Sequence, residues 1–230
     1  YIGARNQRLI ALDAESGSQV WDFVTEGNPT LGSPIVKDGV VYFGSGDHNV
    51  YAIDALTGEE RWHFPTRDWI TNTPTLSDNI LVVSSLDGRV TMYDTDTGKR
   101  RFSFRGFRGV SHAVGSPIIV GDSIHVPYRD GVLVSMNLRE TEVLFASRLY
   151  RLKTQLWIWR MLSNPGFPKG IETVTRLPGD ILTTPAADEH TIYVPTQQGR
   201  VYAVDSSTRT IKWTSKLGAN GLSTPTIVGE

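Results

Sequence analysis

Three groups of residues in this chain are of types that bind rather than types that react. Arg67 and Trp69 form the first, Arg105, Phe107 and Arg108 the second, and Trp157, Trp159 and Arg160 the third. Arginine and tryptophan are the side chains most enriched at the energetic centres of interfaces. Residues for covalent or metal chemistry are absent or scattered. The 230 residues include no cysteine, which excludes thiolate zinc sites, disulfides and cysteine nucleophiles. His48, His63, His112, His125 and His190 show no ligand spacing. There is no glycine-rich phosphate loop and no Gly-x-Ser-x-Gly elbow. The carboxylate pairs Glu59-Glu60 and Asp188-Glu189 sit among turn formers and read as solvated. A net charge of -1 implies no global attraction to nucleic acid or an anionic membrane. No apolar run is long enough to span a bilayer as a helix.

The scaffold that must position these groups is a repeat, seen best in Val50-Tyr51-Ala52-Ile53-Asp54-Ala55-Leu56-Thr57-Gly58-Glu59-Glu60-Arg61-Trp62. Alternating apolar residues run into an Asp, Thr-Gly reverses the chain, and an aromatic follows eight positions after the Asp. Asp13 and Trp21, Asp94 and Phe102, Asn137 and Phe145, and Asp205 and Trp213 repeat the spacing. Pro34, Pro74, Pro117 and Pro185 each lie twenty residues before the polar position, each after Ser or Thr. Length variation therefore falls between aromatic and proline: 12 residues from Trp62 to Pro74, but 40 from Phe145 to Pro185. This places a loop insertion at about 148–182 in a single domain spanning 1–230.

Each repeat offers four short strands rich in β-branched and aromatic residues. Asp87-Gly88 and Asp130-Gly131 supply the positive φ of tight hairpins. Four antiparallel strands per repeat of about forty residues make an all-β fold, a β-propeller blade. Five repeats are visible. Residues 1–24 supply three strands and 223–228 a first strand, so the two ends could join as one blade of a closed five-blade ring. The other reading is part of a seven- or eight-blade propeller. The repeat Asp reads as a turn residue, its carboxylate accepting backbone N–H groups. The aromatic on the outermost strand reads as packing against the neighbouring blade.

Ala-x-Asp-x-x-Thr-Gly-x-x-x-Trp, led by a Ser/Thr-Pro strand and an Asp-Gly hairpin, resembles the pyrroloquinoline-quinone-like (PQQ-like) propeller repeat. The match is close over 11–21 and 52–62, weaker over 92–102, and weakest over 135–145, where Asn137, Thr141 and Phe145 replace Asp, Gly and Trp. The resemblance implies that Trp21, Trp62, Phe102, Phe145 and Trp213 are structural docking residues of a tryptophan-docking motif. It is nearer to non-catalytic members, such as the propeller lipoprotein of the outer-membrane assembly machine, than to quinone-dependent dehydrogenases. It therefore implies a non-enzymatic scaffold in a periplasmic or extracytoplasmic compartment, with a protein or peptide partner, no catalytic residue, no metal and no cofactor. The alternative is a quinone-dependent dehydrogenase, or a fragment of one, holding PQQ with calcium.

Strand direction sorts the connections onto two faces. The aromatic-to-proline loops and the hairpins share one; the Asp turns share the other. On this reading the 65–72, 105–114 and 148–182 loops stand side by side. Arg67, Trp69, Arg105, Phe107, Arg108, Trp157, Trp159 and Arg160 then form one basic, aromatic arc for an acidic or extended peptide, opposite an acidic face. Within the insert, Leu149, Leu152, Leu156 and Trp159 predict a short basic amphipathic helix. That helix serves either as a clamp for a partner or as a plug packed on the propeller top.

Overall fold

The computed structural model describes residues 1–4, 6–27, 32–105, 112–140, 146–218 and 223–228. Five antiparallel sheets follow one another, strands in chain order within each. The first blade holds β1 (Ile2–Ala4), β2 (Arg8–Leu12) and β3 (Gln19–Val24). The second holds β4 (Ile35–Lys37), β5 (Val40–Gly44), β6 (Asn49–Asp54) and β7 (Glu60–Pro65). The third holds β8 (Thr75–Ser77), β9 (Ile80–Ser84), β10 (Arg89–Asp94) and β11 (Arg100–Arg105). The fourth holds β12 (Ile118–Val120), β13 (Ser123–Tyr128), β14 (Val132–Asn137) and β15 (Ile171–Arg176). The fifth holds β16 (Ala186–Ala187), β17 (Thr191–Thr196), β18 (Arg200–Asp205) and β19 (Ile211–Lys216). A helix, α1 (Ala146–Ile158), lies between β14 and β15.

Stacking sheets face to face buries the middle strands on both sides. β5, β9 and β13 are buried along their whole length. They read as near-continuous apolar runs because neither face meets water. The core is accordingly a series of slabs between blades. Leu9 of the first blade packs with Val41, Phe43 and Tyr51 of the second. Tyr42 and Val50 meet Leu81 and Tyr93 of the third. Val82 and Met92 meet Ile124 and Val134 of the fourth, and Leu133 meets Ile192 and Val204 of the fifth.

A second device ties the short first strands together. Ser33 N–H donates to Thr73 Oγ1 (3.2 Å), Thr73 N–H to Ser116 Oγ (3.0 Å), and Ser116 N–H to Thr184 Oγ1 (2.9 Å). The Ser or Thr ahead of each proline is thus a link from blade to blade around a central opening of about 530 Å³.

The seam expected between 223–228 and Tyr1-Ile2-Gly3 does not form. Residues 223–228 carry no strand, and the first sheet has three strands. First strands are only two or three residues long in the blades that have one. They depend on links from a blade on either side.

Candidate partner-binding site

The Asp of each repeat builds the turn that seats its neighbour's aromatic. Asp54 Oδ1 accepts from Leu56 N–H (2.9 Å) and Thr57 N–H (3.0 Å), and Gly58 N–H returns to Asp54 O (3.0 Å). The Arg61 guanidinium, 2.7 Å from Oδ2, and these two amides hold the Asp54 carboxyl down at about 2. Asp13 and Asp205 repeat the arrangement. The turn glycine is required by its contact as well as its φ. A Cβ on Gly58 (φ 77°) would lie 2.8 Å from the Trp21 ring, and one on Gly98 (φ 65°) 2.9 Å from the Trp62 ring. The indoles finish the contact by hydrogen bonding: Trp21 Nε1 donates to Ala55 O (3.1 Å), and Trp62 Nε1 to Thr95 O (3.2 Å). Phe102 lies against Gly170 in the same way, without a donor. Trp213 has no following blade among the described residues and is 47% exposed.

The fourth blade departs from the pattern and relocates the insert. Cross-strand pairing sets Ala11 against Trp21, Ala52 against Trp62, Met92 against Phe102 and Ala203 against Trp213. The same register sets Ser135 against Thr173. Thr173, not Phe145, occupies the docking position of this blade; Phe145 itself lies outside the described residues. The insertion therefore runs over 138–170 rather than 148–182, and residues 171–176 are the outer strand β15. Thr173 lies twelve residues before Pro185, as Trp62 does before Pro74 and Trp213 before Pro225. The same interval is 13 residues from Trp21 to Pro34 and 15 from Phe102 to Pro117, so cross-strand register rather than spacing assigns the outer strand. Phe145 matched a spacing only because a helix was spliced into the turn.

The insert consequently leaves the sheet at the end that carries the Asp turns, opposite the hairpin end. The expected single arc is split in two. Arg67 and Trp69 follow β7 at the hairpin end, where Trp69 is 39% exposed. Arg105 closes β11 at the same end, and Phe107 and Arg108 lie outside the described residues. Trp157, Trp159 and Arg160 belong to the opposite end. The expected charge polarity falls with the arc, because Arg151, Lys153, Arg160 and Lys169 join the face that carries the Asp turns.

α1 ends ahead of the breaker pair Asn164-Pro165. Arg160 N–H bonds Trp157 O (2.9 Å) and Met161 N–H bonds Leu156 O (2.8 Å), with Arg160 at φ 58°. This is a Schellman closure with arginine in the left-handed position. Lys169 pairs with Glu140 (2.8 Å) at the base of the insert, and Tyr150 OH donates to Gly166 O (3.0 Å). Apolar side chains are left facing water: Leu149, Leu152, Trp157, Ile158, Trp159, Met161 and Leu162 are all exposed. The plug reading is therefore not what the insert does. No Asp or Glu occurs between Glu142 and Glu172, and the charged residues of that stretch are Arg148, Arg151, Lys153, Arg160 and Lys169.

A polar cluster fills the space that Thr173 leaves. Arg209 stands where Gly17, Gly58 and Gly98 stand in other turns, at φ 63°. Its guanidinium reaches Glu172 Oε2 (2.6 Å) and Ser123 Oγ (2.7 Å), beside buried His125. His125 Nδ1 meets Ser135 Oγ at 2.8 Å. Burial first, and Arg209 second, push the His125 imidazole down to about 4. Among the described residues no group of three or more His, Asp and Glu is arranged to hold a metal ion.

Repeats seated by aromatic-on-glycine contacts define the chain as a β-propeller of PQQ-like repeats. The family model described as outer membrane protein assembly factor BamB matches residues 5–161 and 150–230, and the chain belongs to that family. It is 21% identical to the BamB of Yersinia pestis over 95% of this chain and 54% of that protein. It is 22% identical to the BamB of Shewanella oneidensis over 100% of this chain and 64% of that protein. A quinoprotein alcohol dehydrogenase, PedH of Pseudomonas putida, is 29% identical but over only 43% of this chain. The chain thus stands nearer the assembly factors than the dehydrogenases. The crystal structure of BamB from Moraxella catarrhalis superposes with a TM-score of 0.69 at 18% identity, over 96% of this chain and 59% of that one. The chain spans about half the length of the curated relatives it matches.

Proposed function

We propose that the chain is a non-enzymatic, cofactor-free scaffold of an extracytoplasmic assembly complex, where it holds a protein partner. The observation that carries this reading is the insert. It presents Trp157, Trp159, Met161 and Leu162 to solvent, framed by Arg151 and Arg160 without a nearby acid in sequence. Isolated exposed apolar residues are ordinary, but a contiguous group rimmed by charge marks an interaction site. A partner segment that is apolar and acidic fits it. Arg67, Trp69 and Arg105, with Phe107 and Arg108 beside them in sequence, form a second contact surface at the opposite end. The relatives' designation as outer membrane protein assembly factors supports a partner within such a machine. The Trp21, Trp62 and Phe102 seats are read as the docking device that keeps both surfaces rigid.

The test replaces 141–168 by a short turn and, separately, changes Trp69→Ala with Arg67→Glu. Co-purification with the outer-membrane assembly components of a host envelope is then compared. Loss on shortening, with an unchanged thermal melt, supports the insert as the contact. Parent-like recovery of both variants would remove both surfaces from the reading.

A further inference from the structure

A hollow of about 420 Å³ lies in the groove between the outer strand of the second blade and the outer strands of the third. Its floor is made of hydroxyls. Thr91 and Tyr93 are buried there, and Thr91 Oγ1 and Ser103 Oγ lie 3.3 Å apart. Its rim is cationic, formed by Arg67, Arg89 and Arg100.

Arg89 is the centre of this arrangement. It pairs directly across the β10–β11 ladder with Arg105, and like charges opposite one another in a sheet are destabilising. Its side chain is 20% exposed, and Asp87 stands 3.8 Å from Nε, the outer limit of an ion pair. Nη1 donates to Ser103 Oγ (3.1 Å), while buried Nε has no hydrogen-bond acceptor. Burial, together with the neighbouring arginines, holds the Arg89 pKa below its ordinary value. Nε is buried on the Asp87 side, so the Nη groups, tied among the described residues only to the Ser103 hydroxyl and crowded by like charge, are the donors that the hollow offers to an oxyanion.

We propose that this hollow binds a small oxyanion-bearing ligand, a phosphate or carboxylate whose oxygens sit on the Arg89 guanidinium and the Ser103 and Thr91 hydroxyls. The planar fork of a guanidinium matches two oxygens of either group. The volume suits a small molecule rather than a length of peptide. The site lies away from the insert and shares Arg67 with the hairpin-end contact surface, but small-anion binding by the isolated chain is read without any protein partner.

The experiment titrates the full chain with inorganic phosphate and with succinate, at ionic strength held constant with sodium chloride. Calorimetry and the thermal midpoint are the readouts. A saturable isotherm with a raised midpoint is expected for at least one of them. Arg89→Gln should weaken it about tenfold or more, as loss of a charged hydrogen-bond partner does. Should Arg89→Gln fold poorly, Ser103→Ala and Arg67→Gln carry the test, each weakening binding severalfold with a parent-like melt. The proposal is overturned if chloride alone reproduces the midpoint shift, or if Ser103→Ala and Arg67→Gln titrate like the parent.

Discussion

The seat between the second and third blades and the seat between the fourth and fifth solve one packing problem in opposite ways. In the first, a large side chain, Trp62, enters from the outer strand and meets Gly98, which offers no side chain. In the second, the outer strand offers the small Thr173, and the turn supplies the large Arg209. The volume changes sides, and with it the chemistry changes from apolar burial to a charge-assisted network on Glu172 and Ser123. The two substitutions make sense only together. A tryptophan facing Arg209 would collide, and a threonine facing glycine would leave a hole. In this chain the large side chain thus comes from the outer strand at one seat and from the turn at the other.

The largest expected effect tests the apolar seat. Trp62→Ala should destabilise by about 3 kcal/mol, the low end for a large aromatic, because Trp62 is partly buried in its seat. Trp213→Ala, at the same repeat position but 47% exposed and with no following blade among the described residues, should change stability by less than about 1 kcal/mol in this chain, in the range of surface substitutions. Urea melts of both variants decide it. Equal losses would mean that the indole acts within its own sheet rather than through the seat.

The polar seat should be next. Arg209→Gly strands a half-buried Glu172 and should cost about 2–3 kcal/mol, typical of a lost hydrogen bond to a charged group. Thr173→Trp alone should be worse tolerated than Thr173→Trp with Arg209→Gly, which rebuilds an aromatic-on-glycine seat. A double-mutant cycle should show coupling of about 1 kcal/mol or more. Strict additivity would show that the two positions do not share a space.

These seats also mark what could be seen in the sequence. The repeat, its strands and the helix were legible because apolar periodicity, Asp-Gly turns and fixed spacings are local properties. The outer strand of the fourth blade was not read correctly, because the count ran forward from Asn137 to the first aromatic. Register across a sheet is non-local, and a helix spliced into a turn leaves the strand pairing intact while moving it along the chain. Counting back from Pro185 by the intervals of 12, 13 and 15 in the other repeats lands in or just before β15, and only the cross-strand register singles out Thr173. The face on which the insert emerges followed from that single error, and so did the assignment of its cations. The Arg209–Glu172 contact spans 37 positions, and no local pattern announces it apart from Arg209 standing at a glycine position. The hydroxyl-floored hollow around Arg89 likewise depends on two blades meeting.

Acid should separate the two seats. His125 lies beside the polar one, with Arg209 and Glu172 facing it, and its folded-state value is about 4 against 6.5 for the free side chain. The fold therefore favours the neutral ring. Stability is complete above about pH 6.5 and declines as pH falls toward 4, because the unfolded chain takes up the proton first. About 1.4 kcal/mol per unit gives a loss on the order of 3 kcal/mol across the window. Asp54 is also depressed, to about 2, but its contribution is lost at lower pH. Melts of the parent at pH 7 and pH 4.5, compared with His125→Leu, should show the slope flattened in the variant. An unchanged slope would place the acid sensitivity elsewhere.

The smallest expected effect bears on how well the polar seat is satisfied. Thr173 Oγ1 and Arg209 Nε are buried with no hydrogen-bond partner, as is His125 Nε2. The apolar seat has no such debt, since Trp62 Nε1 finds Thr95 O. A buried hydroxyl without a partner forfeits its hydration and gains nothing in return. Thr173→Val keeps the β-branched shape that suits β15, removes that hydroxyl and leaves the Arg209–Glu172 contact untouched. The change should be neutral or should stabilise by up to about 1 kcal/mol, the lower range for an unmade hydrogen bond. A loss of about 1 kcal/mol or more would show that an ordered water bridges Thr173, Arg209 and His125. The fourth seat would then be a hydrated network as complete as the aromatic one, and the contrast between them would be one of chemistry alone.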